Sequence, residues 1–273
     1  MKVTIIGGGS MAEALIAGWT AQEYIRPGDI YVTNRSNDIR LAELARLYSI
    51  KTSRDTHELI NNTDFLILSC KPKDWMEALK PYLPYLHNET VIISVMAGVT
   101  TASMQKAAPN SPVIRSMPNT SAAVCASMTS LAFGPGVSEE HISKTEFLFR
   151  GVGETAVIEE SMMDAVTALT GTGPAYIYYL MESMEKAAAN IGVPEHIGRE
   201  LVAQTLIGAS RRVQKEEATP SDLYMQIMSP GGTTEAGFNV LKERGVQEAL
   251  IDCIAKAYER SQELGKNPSP PEV

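Results

Sequence analysis

The first half of the chain alternates short apolar runs with stretches whose apolar positions recur every three or four residues. The runs are Lys2 to Gly7, Ile30 to Thr33, Phe65 to Ser69, Val91 to Val95 and Val113 to Arg115. Phe65-Leu66-Ile67-Leu68 and Val91-Ile92-Ile93 are apolar at every position, as strands must be when helices cover both faces of a parallel sheet. The rhythm predicts βαβ units. Ser127 to Phe133 and Ala156 to Ile158 extend the sheet toward an edge, and this α/β part ends near residue 160.

From Ser161 onward helical spacing takes over. Ser161-Met162-Met163-Asp164 has the spacing of a capping box, with Asp in place of the usual Glu. Pro174 and Pro194 stand where first helical turns begin, and Gly192 fits the glycine that follows a helix end. Between them runs one long helix on which Ile177, Leu180, Met181, Met184, Ala187, Ala188 and Ile191 recur at three and four, while Tyr176, Tyr178 and Tyr179 add apolar area. Such a helix needs cover. A second subunit supplies it in the reading we favour, and the α/β domain of the same chain supplies it in the alternative. The expected plan is an α/β domain over 1–160, an all-helical dimerisation domain over 161–266, and a proline-rich tail over 267–273 that cannot continue a helix and is expected to be flexible.

Composition narrows the class. With 44% hydrophobic and 21% charged residues the chain reads as a soluble globular protein. A net charge of −8 without any basic run argues against nucleic acid as a partner. Three cysteines without CxxC spacing and four scattered histidines suggest neither a disulfide framework nor a metal site. No apolar run approaches the ~18 residues of a membrane span. Met1-Lys2-Val3-Thr4-Ile5 lacks the pattern of a secretory signal, so the expected location is the cytoplasm.

The first strand leads directly into Gly7-Gly8-Gly9-Ser10-Met11-Ala12, and Glu13 to Gly18 continue as a helix. This strand, glycine turn and helix form the signature of a Rossmann-type dinucleotide-binding domain. Gly7 permits the tight turn, and Gly9 clears space for a pyrophosphate at the helix start, beside Ser10 and Met11. Small Ala12 lets helix and strand approach. After the second strand an NAD site usually carries an acid, whereas this chain reads Thr33-Asn34-Arg35-Ser36. A guanidinium suits a 2′-phosphate, so NADPH is expected over NADH; Asp38 nearby and the alternative of Arg35 as a solvated arginine keep NADH possible. Lys71 and Pro72, and Ala97 with Gly98, follow later strands that line the same crevice. Lys71 either reaches ribose or phosphate oxygens or is an ordinary exposed lysine. Ala97 and Gly98 are small enough for a nicotinamide to lie flat. Asn119 either reads the carboxamide or simply forms the turn after Pro118.

A second glycine turn, Met228-Ser229-Pro230-Gly231-Gly232-Thr233-Thr234, precedes a helical stretch. It is either a carboxylate seat on the first amides of that helix or a helix start capped by Thr233 or Thr234.

Together these motifs resemble the Δ1-pyrroline-5-carboxylate reductases. The resemblance covers nearly the whole chain and rests on the glycine turn, Cys70-Lys71-Pro72, Arg115 to Thr120, Leu169 to Tyr176 and Ser229 to Thr234. It implies a Rossmann domain and a helical domain that interlocks with a twin, giving homodimers that in some members assemble into decamers. It also implies reduction of the cyclic imine L-1-pyrroline-5-carboxylate to L-proline by NAD(P)H. The substrate carboxylate is implied to lie on the turn of Ser229, Gly231, Gly232, Thr233 and Thr234, with the Thr234 hydroxyl near the imine nitrogen. We assign Thr234 an orienting hydrogen bond, with water as proton source, because a threonine hydroxyl is a poor general acid at neutral pH. Three positions depart from the family pattern: Thr172 where serine is common, Ser121 where proline often follows, and Met96, whose length is expected to crowd the nicotinamide. The lysine-dependent dehydrogenases that share this two-domain plan are disfavoured, because Lys186, Lys215, Lys242 and Lys256 lie in charged helical settings.

Overall fold

The computed structural model describes residues 1–266, so the expected tail at 267–273 lies outside the described residues. The described chain divides into two compact units, Met1–Pro174 joined by the chain end from Ala257, and Ala175–Lys256.

In the first unit the strands are β1 (Val3–Ile6), β2 (Ile30–Thr33), β3 (Lys51–Thr52), β4 (Phe65–Leu68), β5 (Val91–Ser94), β6 (Val113–Met117), β7 (Ser127–Phe133) and β8 (Gly153–Val157). Among the described residues they form one sheet in the order β3-β2-β1-β4-β5-β6-β7-β8. The pairing is parallel from β3 to β6, antiparallel between β6 and β7, and parallel again at β8. β1, β4 and β5 are buried at every position, which explains why they are apolar except at Thr4 and Ser94. Successive side chains point to opposite faces and join two cores. One contains Val3, Ile5, Ile67 and Ile93 with Leu15 and Trp19 of α1 (Ser10–Ala21), Leu41 and Leu44 of α2 (Asp38–Tyr48), and Leu148 of a later helix. The other contains Ile6, Leu66, Leu68 and Ile92 with α3 (Thr56–Ile60), α4 (Trp75–Leu79) and α5 (Thr101–Ala107). The helix bearing Leu148 is α6 (Glu139–Arg150), whose Leu148 carbonyl accepts the Trp19 indole N–H at 2.8 Å.

The doubly covered, mostly parallel sheet is the α/β architecture that the alternation predicts. Strand β3 escapes the apolar pattern because it is two residues long and neither residue is buried. The expected capping box at Ser161 does not form. The short α7 (Met163–Val166) starts at Met162 with no side-chain cap, because the Asp164 carboxylate is drawn instead to Ser261 Oγ, at 2.9 Å, and Arg115. A wide turn follows, in which the Thr172 amide donates to the Thr167 carbonyl five residues back at 3.0 Å.

The remaining helices are α8 (Gly173–Asn190), α9 (Glu195–Lys215), α10 (Pro220–Ile227), α11 (Thr233–Glu243) and α12 (Val246–Lys266). Gly192, at φ +89°, ends α8, with the Val193 amide on the Ala188 carbonyl at 2.9 Å. Thr219 and Asp222 cap α10 reciprocally. Inside this unit Tyr224 and Phe238 pack with ring centroids 4.8 Å apart. No residue of α8 is buried in the single chain, and Tyr179 and Ile191 are 71% and 80% exposed. On its apolar stripe Ile177 and Met184 are exposed, while Leu180, Met181 and Ala188 are half-buried.

Candidate active site

The glycine turn follows β1 with the backbone the sequence requires. Gly7 has φ +113°, and a Cβ there would collide with the Ser69 carbonyl after β4, so no other residue fits this close approach. A Cβ at Gly9 would meet nothing within 4 Å, which leaves the space over the start of α1 open for a phosphate group. Gly9 is the N-cap of α1 and offers no side chain to its amides, while Ala12 is fully buried against the sheet. The residues present fit a dinucleotide.

One side chain that the sequence reading passed over braces this turn. Arg40 of α2 donates from Nε to the Gly8 carbonyl at 2.9 Å and is itself held by Glu13 and Glu43. Hydrogen bonds to both acids raise its pKa. Its i,i+3 link to Glu43 was legible in the sequence, but the contact to Gly8 depends on how α2 lies over the turn.

Beside the turn is a cavity of about 340 Å³ lined by Gly7, Asn34, Arg35, Arg54, Cys70 and Tyr82, among others. It thus gathers Asn34 and Arg35, as expected, and adds Arg54 from the segment after β3. Asn34 accepts the Asn37 amide at 2.8 Å, and Arg35 lies 3.9 Å from Glu77. Burial pushes the Cys70 thiol up to about 11, and its Sγ lies 3.6 Å from Met96 Sδ. Lys71 is exposed and Pro72 opens a short helical turn, neither of them lining this cavity.

Met96 departs from expectation. It is 3% exposed and belongs to the core that contains Leu68 and Ile92, whereas Ala97, in the turn that follows, is half-buried. Crowding of a nicotinamide by this side chain is therefore not a feature of the fold. Asn119 also takes an internal role. It is 7% exposed, its Nδ2 donates to the Thr170 carbonyl at 3.0 Å, and its Oδ1 accepts the Ser121 amide at 3.0 Å. Both ends of its amide are committed, so the turn-forming alternative is the one the geometry favours. The Thr172 hydroxyl likewise donates to the Thr167 carbonyl at 2.9 Å.

In the helical unit, the turn before α11 has Gly231 at φ +72° and the Gly232 amide on the Ser229 carbonyl at 2.9 Å. A Cβ on Gly232 would come within 2.5 Å of Ser229 Oγ and 3.0 Å of the Ser229 carbonyl oxygen, so a side chain there would push the Ser229 hydroxyl aside. The N-cap of α11 is Gly232, without a side-chain cap, which sets aside capping by Thr233 or Thr234. The amides at the start of α11 point out of a helix end that favours an anion. Glu235 already exploits this end, its Oε2 accepting the Gly231 amide at 2.7 Å.

Residues 160–264 match the family described as pyrroline-5-carboxylate reductase dimerisation, and residues 2–98 match that of NADP oxidoreductases, coenzyme F420-dependent. The chain is 41% identical over 264 residues to pyrroline-5-carboxylate reductase 2 of Bacillus subtilis, covering 96% of this chain and 95% of that one. The structure of 1-pyrroline-5-carboxylate reductase from Streptococcus pyogenes superposes with a TM-score of 0.86 at 32% identity, over 97% and 99% of the two chains. The Plasmodium falciparum pyrroline carboxylate reductase, solved with NADP bound, shares the fold with a TM-score of 0.87 at 24% identity, over 97% and 98%. The chain belongs to the pyrroline-5-carboxylate reductase family.

Proposed function

We propose that this chain reduces the C=N bond of L-1-pyrroline-5-carboxylate to give L-proline, with NADPH as the hydride donor. The uncapped start of α11 behind Gly231 and Gly232 is the observation that carries the reading, since it offers backbone amides to a small carboxylate and the family membership names one. The cofactor supplies hydride, and the protein's part is to hold and orient. Gly7, Gly9, Ser10 and Met11 receive the pyrophosphate; Asn34 and Arg35 receive the adenosine end. Lys71 and Pro72 border the ribose, and Ala97 underlies the nicotinamide. Gly231, Gly232, Thr233 and Thr234, with Ser229 shaping the turn, hold the substrate carboxylate, and the Thr234 hydroxyl orients the imine nitrogen. None of these roles requires a histidine, because water can protonate the imine.

The working unit in this reading is a cytoplasmic homodimer built through the helical domain, with further assembly to a decamer open to measurement. The exposed apolar residues of α8 and the match to a dimerisation family support it. Among the described residues no helix is long and apolar enough to cross a membrane. The decisive experiment follows NADPH and NADH oxidation separately with pyrroline-5-carboxylate, together with the mass in solution. Turnover with NADPH in preference to NADH, by a dimer or larger species, is expected; no turnover with either cofactor overturns the function.

A further inference from the structure

The cavity beside the glycine turn holds two guanidinium groups, and the better anchored is the one not adjacent to β2. Arg35 directly follows Asn34, but its side chain is 78% exposed and its nearest acid, Glu77, is 3.9 Å away. Arg54 follows the neighbouring edge strand β3, and its side chain reaches back to Asn34 just after β2. Its Nη2 lies 2.7 Å from Asp38 Oδ1 and 3.3 Å from Asn34 Oδ1, and its side chain is 42% exposed. Asn34 occupies the place where an NAD site carries its acid. Arg54 is thus tied to the residue that would meet the adenosine ribose, and both ties use one nitrogen. Nη2 takes part in both bidentate faces of the guanidinium, so a phosphate that enters in place of Asp38 meets it together with Nε or Nη1.

We propose that Arg54 is a specificity-determining residue of this chain, reading the 2′-phosphate of the cofactor and contributing at least as much as Arg35 to the choice of NADPH over NADH. Two physical arguments carry it. A side chain already held by Asn34 loses less freedom on binding than the freely exposed Arg35. Its partner Asp38 is 82% exposed, so their ion pair is a weak, water-screened contact that a phosphate dianion can replace. Asp74 and Glu77 also line the cavity, and Glu77 neutralises Arg35 more than Arg54. The inference rests on the cofactor crevice described above and adds the residue that selects within it.

Binding, not turnover, tests it. NADP⁺ and NAD⁺ are titrated calorimetrically into the full chain and into Arg54→Ala, Arg35→Ala and Asp38→Asn, with thermal melting as a check on folding. Arg54→Ala is expected to weaken NADP⁺ binding about tenfold, equal to about 1.4 kcal/mol, and to leave NAD⁺ within about twofold. Arg35→Ala should weaken NADP⁺ no more than that. Asp38→Asn removes the competing acid, so it should tighten NADP⁺ about threefold without changing NAD⁺, a gain that misfolding cannot produce. Equal effects of Arg54→Ala on both nucleotides, or on neither, overturn the inference. Weakened NAD⁺ binding in Asp38→Asn also overturns it, by making Asp38 a ribose ligand. If the unaltered chain binds neither nucleotide, the crevice itself is wrong, which is a separate failure.

Discussion

The guanidinium of Arg115 on β6 lies 3.6 Å from the carboxylate of Asp164 on α7, and that carboxylate accepts the hydroxyl of Ser261 on α12. Arg115 is 3% exposed, and its second acid, Glu160, is 3.7 Å away and accepts both the amide and hydroxyl of Thr101. Neither Nε nor Nη2 of Arg115 reaches a hydrogen-bond acceptor among the described residues, so the cluster is held by charge more than by hydrogen bonds. Burial pulls the guanidinium pKa down, and the two carboxylates pull it back up. One buried charge thereby joins the sheet, the start of α5, α7 and the last turns of α12.

Removing that charge leaves two carboxylates facing each other, partly solvated. Arg115→Met is expected to cost about 1–3 kcal/mol, below the range for fully buried pairs. Urea unfolding of Arg115→Met, Asp164→Asn and the double variant measures it. A double variant no better than the sum of the singles would show that the two residues do not couple.

Gly98 sits at φ +76° with its missing Cβ 2.9 Å from the Gly265 amide nitrogen of α12. Gly98→Ala combines a strained backbone with a clash against backbone atoms that cannot turn aside, so a loss of about 1–3 kcal/mol is expected. Hydrogen exchange over 257–265 should rise selectively. Unchanged exchange there would mean that α12 is not seated on this loop.

Thr234 contributes one neutral hydrogen bond in the proposed role. Thr234→Ala should raise the KM for pyrroline-5-carboxylate about 2–10-fold and retain measurable turnover. Abolished turnover with unchanged substrate affinity would instead make the hydroxyl the proton donor.

Glu235 places a carboxylate on the Gly231 amide, inside the proposed substrate seat. Its negative charge opposes an anionic substrate at the helix start, so Glu235→Gln should lower KM about 2–5-fold. The advantage should shrink as salt screens the charge. A higher KM at every ionic strength would show that Glu235 supports the seat more than it competes with it.

Cys70 lines the cofactor cavity, yet burial holds its pKa at about 11, against an ordinary 9.0. The fold favours the neutral thiol, so this contribution to stability is complete below pH 9 and is lost as pH rises through about 11. Iodoacetamide should therefore modify the exposed Cys253 well before Cys70 at pH 8. Equal rates would show that Cys70 is open to solvent.

Much was legible without coordinates, because it depends on local rules. Phe65 to Leu68 and Val91 to Ile93 are buried on both faces, where apolar residues are favoured; Gly7 and Gly192 mark backbone conformations with φ of +113° and +89° that other residues resist. The resemblance through Ser229 to Thr234 and Leu169 to Tyr176 similarly led to the family. What the pattern could not supply was the direction and company of single side chains. Met96 points into the core, Asn119 spends its amide on Thr170 and Ser121, and Asp164 leaves its expected cap for Ser261 and Arg115. Arg54 and Arg40 reach Asn34 and Gly8 from 20 and 32 positions away in the chain. Local sequence determined which segments became strands, turns and helices. The three-dimensional packing of those segments decided which charged and polar groups meet, since a hydrogen bond or ion pair depends on distance in space and not on separation along the chain.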